Sequence, residues 1–353
     1  MRAARLAVVA LCAMAFSCVA APSASLAAPA RVYWGAQIGD QFTGTAAPWD
    51  MNAVSQFAQL AGKSPSIVAF GAPWADCSTS PCTDSLFPWT PFTDIRAYGA
   101  IPFLSWGSQS LPFNLNDPNF QLSDIINGSH DAYIRTFATK ARDWGHPFFL
   151  RFDWEMNGDW FPWSERANGN NPGEYVAAWR HVHDIFTSVG ATNASWVWCP
   201  YVDPGNSNQS LSSIYPGSSY VDWTCLDGFN WGTGPNSATH VWRSFDYLYN
   251  STYHLITDTL APGKPMVVGE VAASETGGSK AGWIHNMFSA LPTSYPNIRG
   301  LVWLEQVANG MDWPIESSST ATSSFVSGIR NPYYAANSYS GISRTPISPP
   351  PTR

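Results

Sequence analysis

The chain has 353 residues, of which 45% are hydrophobic, 14% aromatic and 12% charged, and its formal net charge is −7 at pH 7. So many aromatics beside so few charges argue against an extended disordered chain, and the acidic balance argues against a nucleic-acid or anionic-membrane surface. Eighteen Trp, nineteen Phe and fourteen Tyr exceed what core filling needs. Flat aromatic side chains suit an uncharged ligand with apolar faces.

Taken in chain order, residues 1–30 read as an export signal. Arg2 and Arg5 give a basic start, Leu6–Val19 is an apolar run, and small residues around Ala27 and Ala30 offer a cleavage site. The run is too short for a membrane span, and no later stretch reaches the roughly 18 apolar residues required. The expected location is extracellular. Cys12 and Cys18 leave with the signal, so Cys77, Cys82, Cys199 and Cys225 remain. Cys77 and Cys82 flank a short loop around Ser80-Pro81, so the natural pairs are Cys77–Cys82 and Cys199–Cys225. No CxxC pair or HExxH occurs, and His181 and His183 point to different faces of one helical stretch. Neither a metal nor a cofactor is expected.

Eight short apolar or aromatic runs then recur: Val32–Ile38, Ser66–Trp74, Ile101–Trp106, Phe148–Met156, Ala194–Tyr201, Asp222–Trp231, Pro265–Val271 and Gly300–Gln306. Several are nearly continuous in hydrophobicity, as strands buried on both faces are. Helical patterns lie between them. Ser129 can cap His130–Trp144, Asn171-Pro172 opens Gly173–Val189, and His240–Leu260 and Ser279–Leu291 are further candidates, the last ending at Pro292. Eight strand–helix units predict an α/β fold of the (β/α)8 TIM-barrel type, a single catalytic domain over residues 31–345. Residues 346–353 form a Pro-rich tail that reads as a linker or frayed end.

A barrel places chemistry at the C-terminal ends of its strands. Strand periodicity puts Arg151, Asp153 and Glu155 of the fourth run on one face, where Arg151 and Asp153 are expected to form a structural ion pair. Glu155, nearest the exit, lacks such a partner and is the first catalytic candidate. Glu270 ends the seventh run, and two strand-end glutamates across a barrel mouth suit glycoside hydrolysis. Glu305 on the eighth run competes, with a hydrogen bond to a sugar or to the local loop as its other reading. Trp160 and Trp163 follow the fourth run, Trp106 ends the third and Trp231 ends the sixth, so each is a candidate sugar platform. Asn157 is a sugar-binding or turn-forming candidate, and Asn230 is a candidate polar partner in the cleft.

The stretch Arg151-Phe-Asp-Trp-Glu-Met-Asn-Gly-Asp-Trp-Phe-Pro-Trp163 resembles the acid/base motif of glycoside hydrolase family 26. Lys264-Pro-Met-Val-Val-Gly-Glu270 is similar to that family's nucleophile strand, and the likeness runs from about Val32 to Trp313. The resemblance implies a secreted, retaining endo-β-glycanase with Glu155 as acid/base, Glu270 as nucleophile and Trp303 as an aromatic floor beneath the sugar. It implies a neutral polysaccharide substrate, β-1,4-mannan first, with mixed-linkage β-1,3-1,4-glucan or β-1,3-xylan as alternatives on the same scaffold. The family's mannanases usually place His just before the acid/base, where this chain has Trp154. A non-catalytic carbohydrate-binding barrel and a cellulase of a related family are the other readings. A monomer is expected, with no partner besides the polysaccharide.

Overall fold

The computed structural model describes residues 31–203, 209–234, 240–337, 339–342 and 344–351; the export signal expected over residues 1–30 lies outside them. Eight parallel strands form the barrel: β1 (Val32–Ile38), β2 (Ile67–Asp76), β3 (Ile101–Leu111), β4 (Phe148–Phe152), β5 (Ala194–Trp198), β6 (Trp223–Asn230), β7 (Met266–Ala273) and β8 (Ile298–Glu305). Each pairs with its sequence neighbour, and β1 pairs with both β2 and β8, so the sheet closes. Closure leaves no edge in the barrel, which explains why most strands carry apolar residues on both faces.

Alternate residues serve two cores. Phe149 of β4 points into the barrel with Phe103, Val197, Trp223, Val267 and Val302. Phe148, Leu150 and Phe152 pack outward against the helices. These are α1 (Met51–Ala61), α2 (Trp89–Tyr98), α3 (Leu122–Ile126), α4 (Asp131–Trp144), α5 (Glu174–Ser188), α6 (Phe245–His254), α7 (Lys280–Ser294) and α8 (Ser319–Ile329). Among the described residues the β5–β6 crossover carries only a 3₁₀ turn at Leu211–Ser213, so one of the eight expected helices is missing there.

Helix ends differ from expectation for local reasons. Ser129 spends its hydroxyl on Asn127, so α4 has no side-chain cap. Pro172 lies outside α5, which starts at Glu174. Ser244 caps α6, and a π-helical turn over Leu255–Leu260 extends it. Pro292 sits inside the last turns of α7 without ending it.

Both expected disulfides are formed, Cys77–Cys82 and Cys199–Cys225. The second lies inside the barrel, tying the end of β5 to β6. The tail is docked, not frayed. The Ile347 side chain enters the bottom of the barrel interior, its N–H donates to Ser195 Oγ (2.8 Å), and its carbonyl accepts from Trp223 Nε1 (2.7 Å). No helix among the described residues is long and apolar enough to cross a membrane.

Candidate active site

The β4 hydrogen-bonding run ends at Phe152, and the next residues leave the sheet sharply. Asp153 (φ 42°) and Glu155 (φ 53°) both take left-handed backbone, which L side chains adopt only when their surroundings fix them. Here the surroundings do. The Glu155 N–H donates to Cys199 O (2.7 Å), and Trp163 Nε1 donates to Trp154 O (2.7 Å). Asn157 clasps the Tyr201 backbone, donating to its carbonyl (2.9 Å) and accepting from its N–H (2.8 Å). Asn157 therefore serves the turn and has both its amide atoms engaged away from any sugar.

This turn breaks the alternation on which an Arg151–Asp153 pair depended. Asp153 instead faces β3, where its carboxylate accepts from the Ser108 N–H and hydroxyl, both at 2.7 Å. Burial pushes Asp153 up to about 8 against those two bonds. Arg151, on the strand proper, points into the barrel. It pairs with Asp227 of β6 (2.6 Å) and with Glu270 of β7, and donates to Ser105 Oγ of β3. Burial opposes its charge, but Asp227 and Glu270 outweigh that and hold Arg151 as a cation.

Glu270 reaches this cation because β7 is irregular. The registers on both of its sides shift near Gly269, bulging the strand and re-aiming the side chains that follow. A Cβ at Gly269 would lie 2.6 Å from Asp227 Oδ1 and 2.6 Å from Cys225 Sγ, so the Arg151–Asp227 pair needs glycine there. Glu270 keeps a small exposed fraction, 14% of its side chain, and so opens to the cleft.

Glu155 is buried beside these groups. Desolvation first, and then the negative charge of Glu270, raise it above the usual carboxylate range. A hydrogen bond from Trp160 Nε1 to Glu155 Oε2 (2.6 Å) and the Arg151 charge pull the other way. The two glutamates thus sit in different surroundings, one apolar and one ion-paired. Such a difference separates an acid from a carboxylate nucleophile. Glu305 is elsewhere: it is fully buried, accepts from the Ile315 N–H (3.0 Å), and is raised well above the usual range by burial and by Glu316. That is the local-loop reading, and it removes Glu305 as a nucleophile.

The aromatic candidates divide by burial. Trp160 is 39% exposed beside Glu155, edge-on to Tyr201 at 5.4 Å. Trp231 is half-buried, stacks on His240 (4.6 Å) and donates to the Tyr201 hydroxyl (3.2 Å). Trp160, Tyr201 and Trp231 therefore form one wall next to Glu155. Trp106, Trp163 and Trp303 are fully buried and cannot meet a sugar. Trp106 stacks on Phe137 of α4 (4.4 Å), Trp163 on Phe161 (4.5 Å), and Trp303 packs outward against Phe325 of α8 (5.5 Å). Asn230 is also buried, accepting from the Arg243 N–H (2.9 Å) in a loop. In each case strand position was legible in sequence, but the side that a tryptophan faces is set by its neighbours.

Asp227, Tyr201 and Ser105 were not singled out in the sequence. Asp227 carried a signal, since it is the one charged residue in the strand Trp223–Asn230. Cys199, Cys225 and Asp227 cluster as metal ligands would, but both sulfurs are in a disulfide and offer no thiolate.

A closed barrel with paired carboxylates at its C-terminal end agrees with the profile of the glycosyl hydrolase 26 family, which matches residues 29–263. The chain belongs to glycosyl hydrolase family 26. Endoglucanase H of Acetivibrio thermocellus is 34% identical over 284 residues, covering 79% of this chain and 29% of that protein. Mannan endo-1,4-beta-mannosidase A and B of Caldalkalibacillus mannanilyticus is 30% identical over 159 residues, 42% of this chain and 26% of that protein. The chain thus spans less than a third of either relative's length. In fold it is similar to a Cellulomonas fimi endo-beta-1,4-mannanase double mutant, with TM-score 0.64 and 18% identity over 89% of this chain and 73% of that one.

Proposed function

We propose that this family 26 chain is a secreted, retaining endo-β-glycanase that cuts internal bonds of a neutral β-glucan. The observation that carries the substrate is the likeness to Endoglucanase H over 79% of the chain, where the mannosidase matches over 42%. Trp154, standing where the family's mannanases usually have His, points the same way. Mannan, expected first from the motif alone, becomes the second reading, kept by the 30% identity to the mannosidase. Two disulfides support secretion, since they persist in oxidising compartments.

In this reading Glu155 is the acid. Its apolar burial and the neighbouring Glu270 charge keep a proton on it, and it delivers that proton to the departing glycosidic oxygen. Glu270 attacks the anomeric carbon, with Arg151 as its counter-charge and Asp227 holding Arg151 in place. Water, deprotonated by Glu155, then releases the sugar from Glu270, so two inversions give net retention. Trp160 and Trp231 stack on the apolar faces of sugars in the cleft.

Product analysis on barley-type β-glucan, glucomannan, galactomannan and β-1,3-xylan tests the substrate. Internal cleavage of the β-glucan is expected, and exclusive cleavage of galactomannan would move the assignment to mannan. For the mechanism, azide should rescue Glu155→Ala as a β-glycosyl azide and Glu270→Ala as an α-glycosyl azide. Full polysaccharide activity of either alanine variant would overturn the pair.

A further inference from the structure

The flank of the barrel carries a second concavity, separate from the cleft. The segment joining β2 to α2 and the outer face of α4 enclose a cavity of about 510 Å³. That volume is within the range of pockets that hold small ligands. None of its lining residues belongs to the group around Glu155 and Glu270. Its walls are preformed. Ser85 N–H donates to Trp74 O (2.8 Å), Thr83–Asp84 pairs with the end of β2, and the Cys77–Cys82 bridge staples the intervening loop. Its floor is Phe87 and Phe137, which pack edge to face at 5.3 Å, beside Tyr133, whose hydroxyl accepts from Trp106 Nε1.

The rim decides what can enter. Leu86 is 82% exposed and Trp89 is 45% exposed, large apolar surface that a folded chain ordinarily covers or uses. Around them stand Asp84, Lys140 and Thr136, which offer a carboxylate, an ammonium and a hydroxyl. The opposite charges of Asp84 and Lys140 balance, so the site favours neither an anion nor a cation. Apolar planes edged by hydrogen-bonding groups of both kinds match one ligand chemistry: the alternating C–H faces and hydroxyl rims of a neutral pyranose chain. A second protein copy would demand a far larger area than this single cavity offers.

We infer that this cavity is a secondary binding site for a neutral glycan, with Trp89 as its stacking platform, holding polymer on the barrel flank while another part of it occupies the cleft. The inference rests on the proposed action on neutral polysaccharide. The test is native affinity electrophoresis of the full chain in gels cast with barley β-glucan or galactomannan, using wild type, Trp89→Ala and Lys140→Ala. Trp160→Ala, which weakens the cleft wall, serves as a second background. The expected result is a dissociation constant raised about fivefold to tenfold by Trp89→Ala in both backgrounds, the scale of one aromatic contact. Turnover of a short soluble oligosaccharide by Trp89→Ala should equal that of wild type. Equal retardation of wild type and Trp89→Ala in the polymer that wild type cleaves would overturn the site. So would sedimentation showing a dimer that Trp89→Ala dissolves. If wild type cleaves none of these neutral polymers, it is the proposed function that fails, and that outcome is read from the activity assay alone.

Discussion

Arg151 and Asp227 form an ion pair at 2.6 Å with both side chains shut off from solvent, and the same guanidinium also bonds Glu270. A buried pair is costly to desolvate, and here the guanidinium that Asp227 holds also meets Glu270. Replacing Asp227 by Asn should remove the charge that anchors Arg151 and let the guanidinium shift. The expected outcome is a kcat lowered by about 10²-fold with KM little changed, the scale of a small misplacement at a reacting group. Urea unfolding should show a loss of about 3 kcal/mol, the low end for breaking a buried pair. An unchanged kcat would show that Arg151 needs no such anchor.

Gly269 tests the same arrangement sterically. A methyl group there meets Asp227 Oδ1 and Cys225 Sγ at 2.6 Å and Arg151 Nη1 at 3.0 Å. Gly269→Ala should therefore lower kcat while circular dichroism keeps its native shape, because the clash falls on the ion pair and not on a helix. Wild-type kcat in a folded Gly269→Ala protein would contradict the placement of Arg151.

In the proposed mechanism the pH dependence of turnover follows from Glu155. Its proton affinity is raised by burial and by Glu270, so the acid form should persist above the ordinary glutamate range and kcat should fall as pH rises through the shifted value. The Trp160 Nε1 bond stabilises the ionised form and works against that shift. Removing it with Trp160→Phe should move the alkaline limb of kcat to higher pH while keeping an aromatic ring at the wall. A limb that moves to lower pH would contradict the role of this bond.

Lys280 is the stability test away from the cleft. Its fully buried ammonium donates to Trp313 O (3.1 Å), Pro314 O (2.8 Å) and Ser317 Oγ (2.8 Å), and also to Asp312 O. Burial lowers its affinity for the proton to about 8. These bonds pin the loop that follows β8 to the start of α7. Lys280→Met should strand several buried carbonyls and cost about 3 kcal/mol in a urea melt. A loss under about 0.5 kcal/mol, the range of ordinary surface changes, would mean that water replaces the ammonium there.

The barrel itself was legible because its signals are local. Apolar runs of strand length and the cysteine spacing depend on near neighbours along the chain, and both survive in the structure. So were the positions of Glu155 and Glu270, each at the end of an apolar run. Three features depended on residues distant in sequence. Left-handed backbone at Asp153 and Glu155 is held by Ser108, Cys199, Tyr201 and Trp163, and it cancels the strand alternation that pairs Arg151 with Asp153. Trp106 and Trp303 lie within strands and Trp163 in the loop after β4, and packing against Phe137, Phe325 and Phe161 buries them, whereas Trp231 just beyond β6 stays half-exposed. Ile347 looked like part of a loose tail because its hydrogen-bond partners Ser195 and Trp223 lie more than a hundred residues away in sequence. Periodicity records which residues alternate along a strand. The partner that each side chain meets is settled only when the barrel closes and brings distant strands into contact.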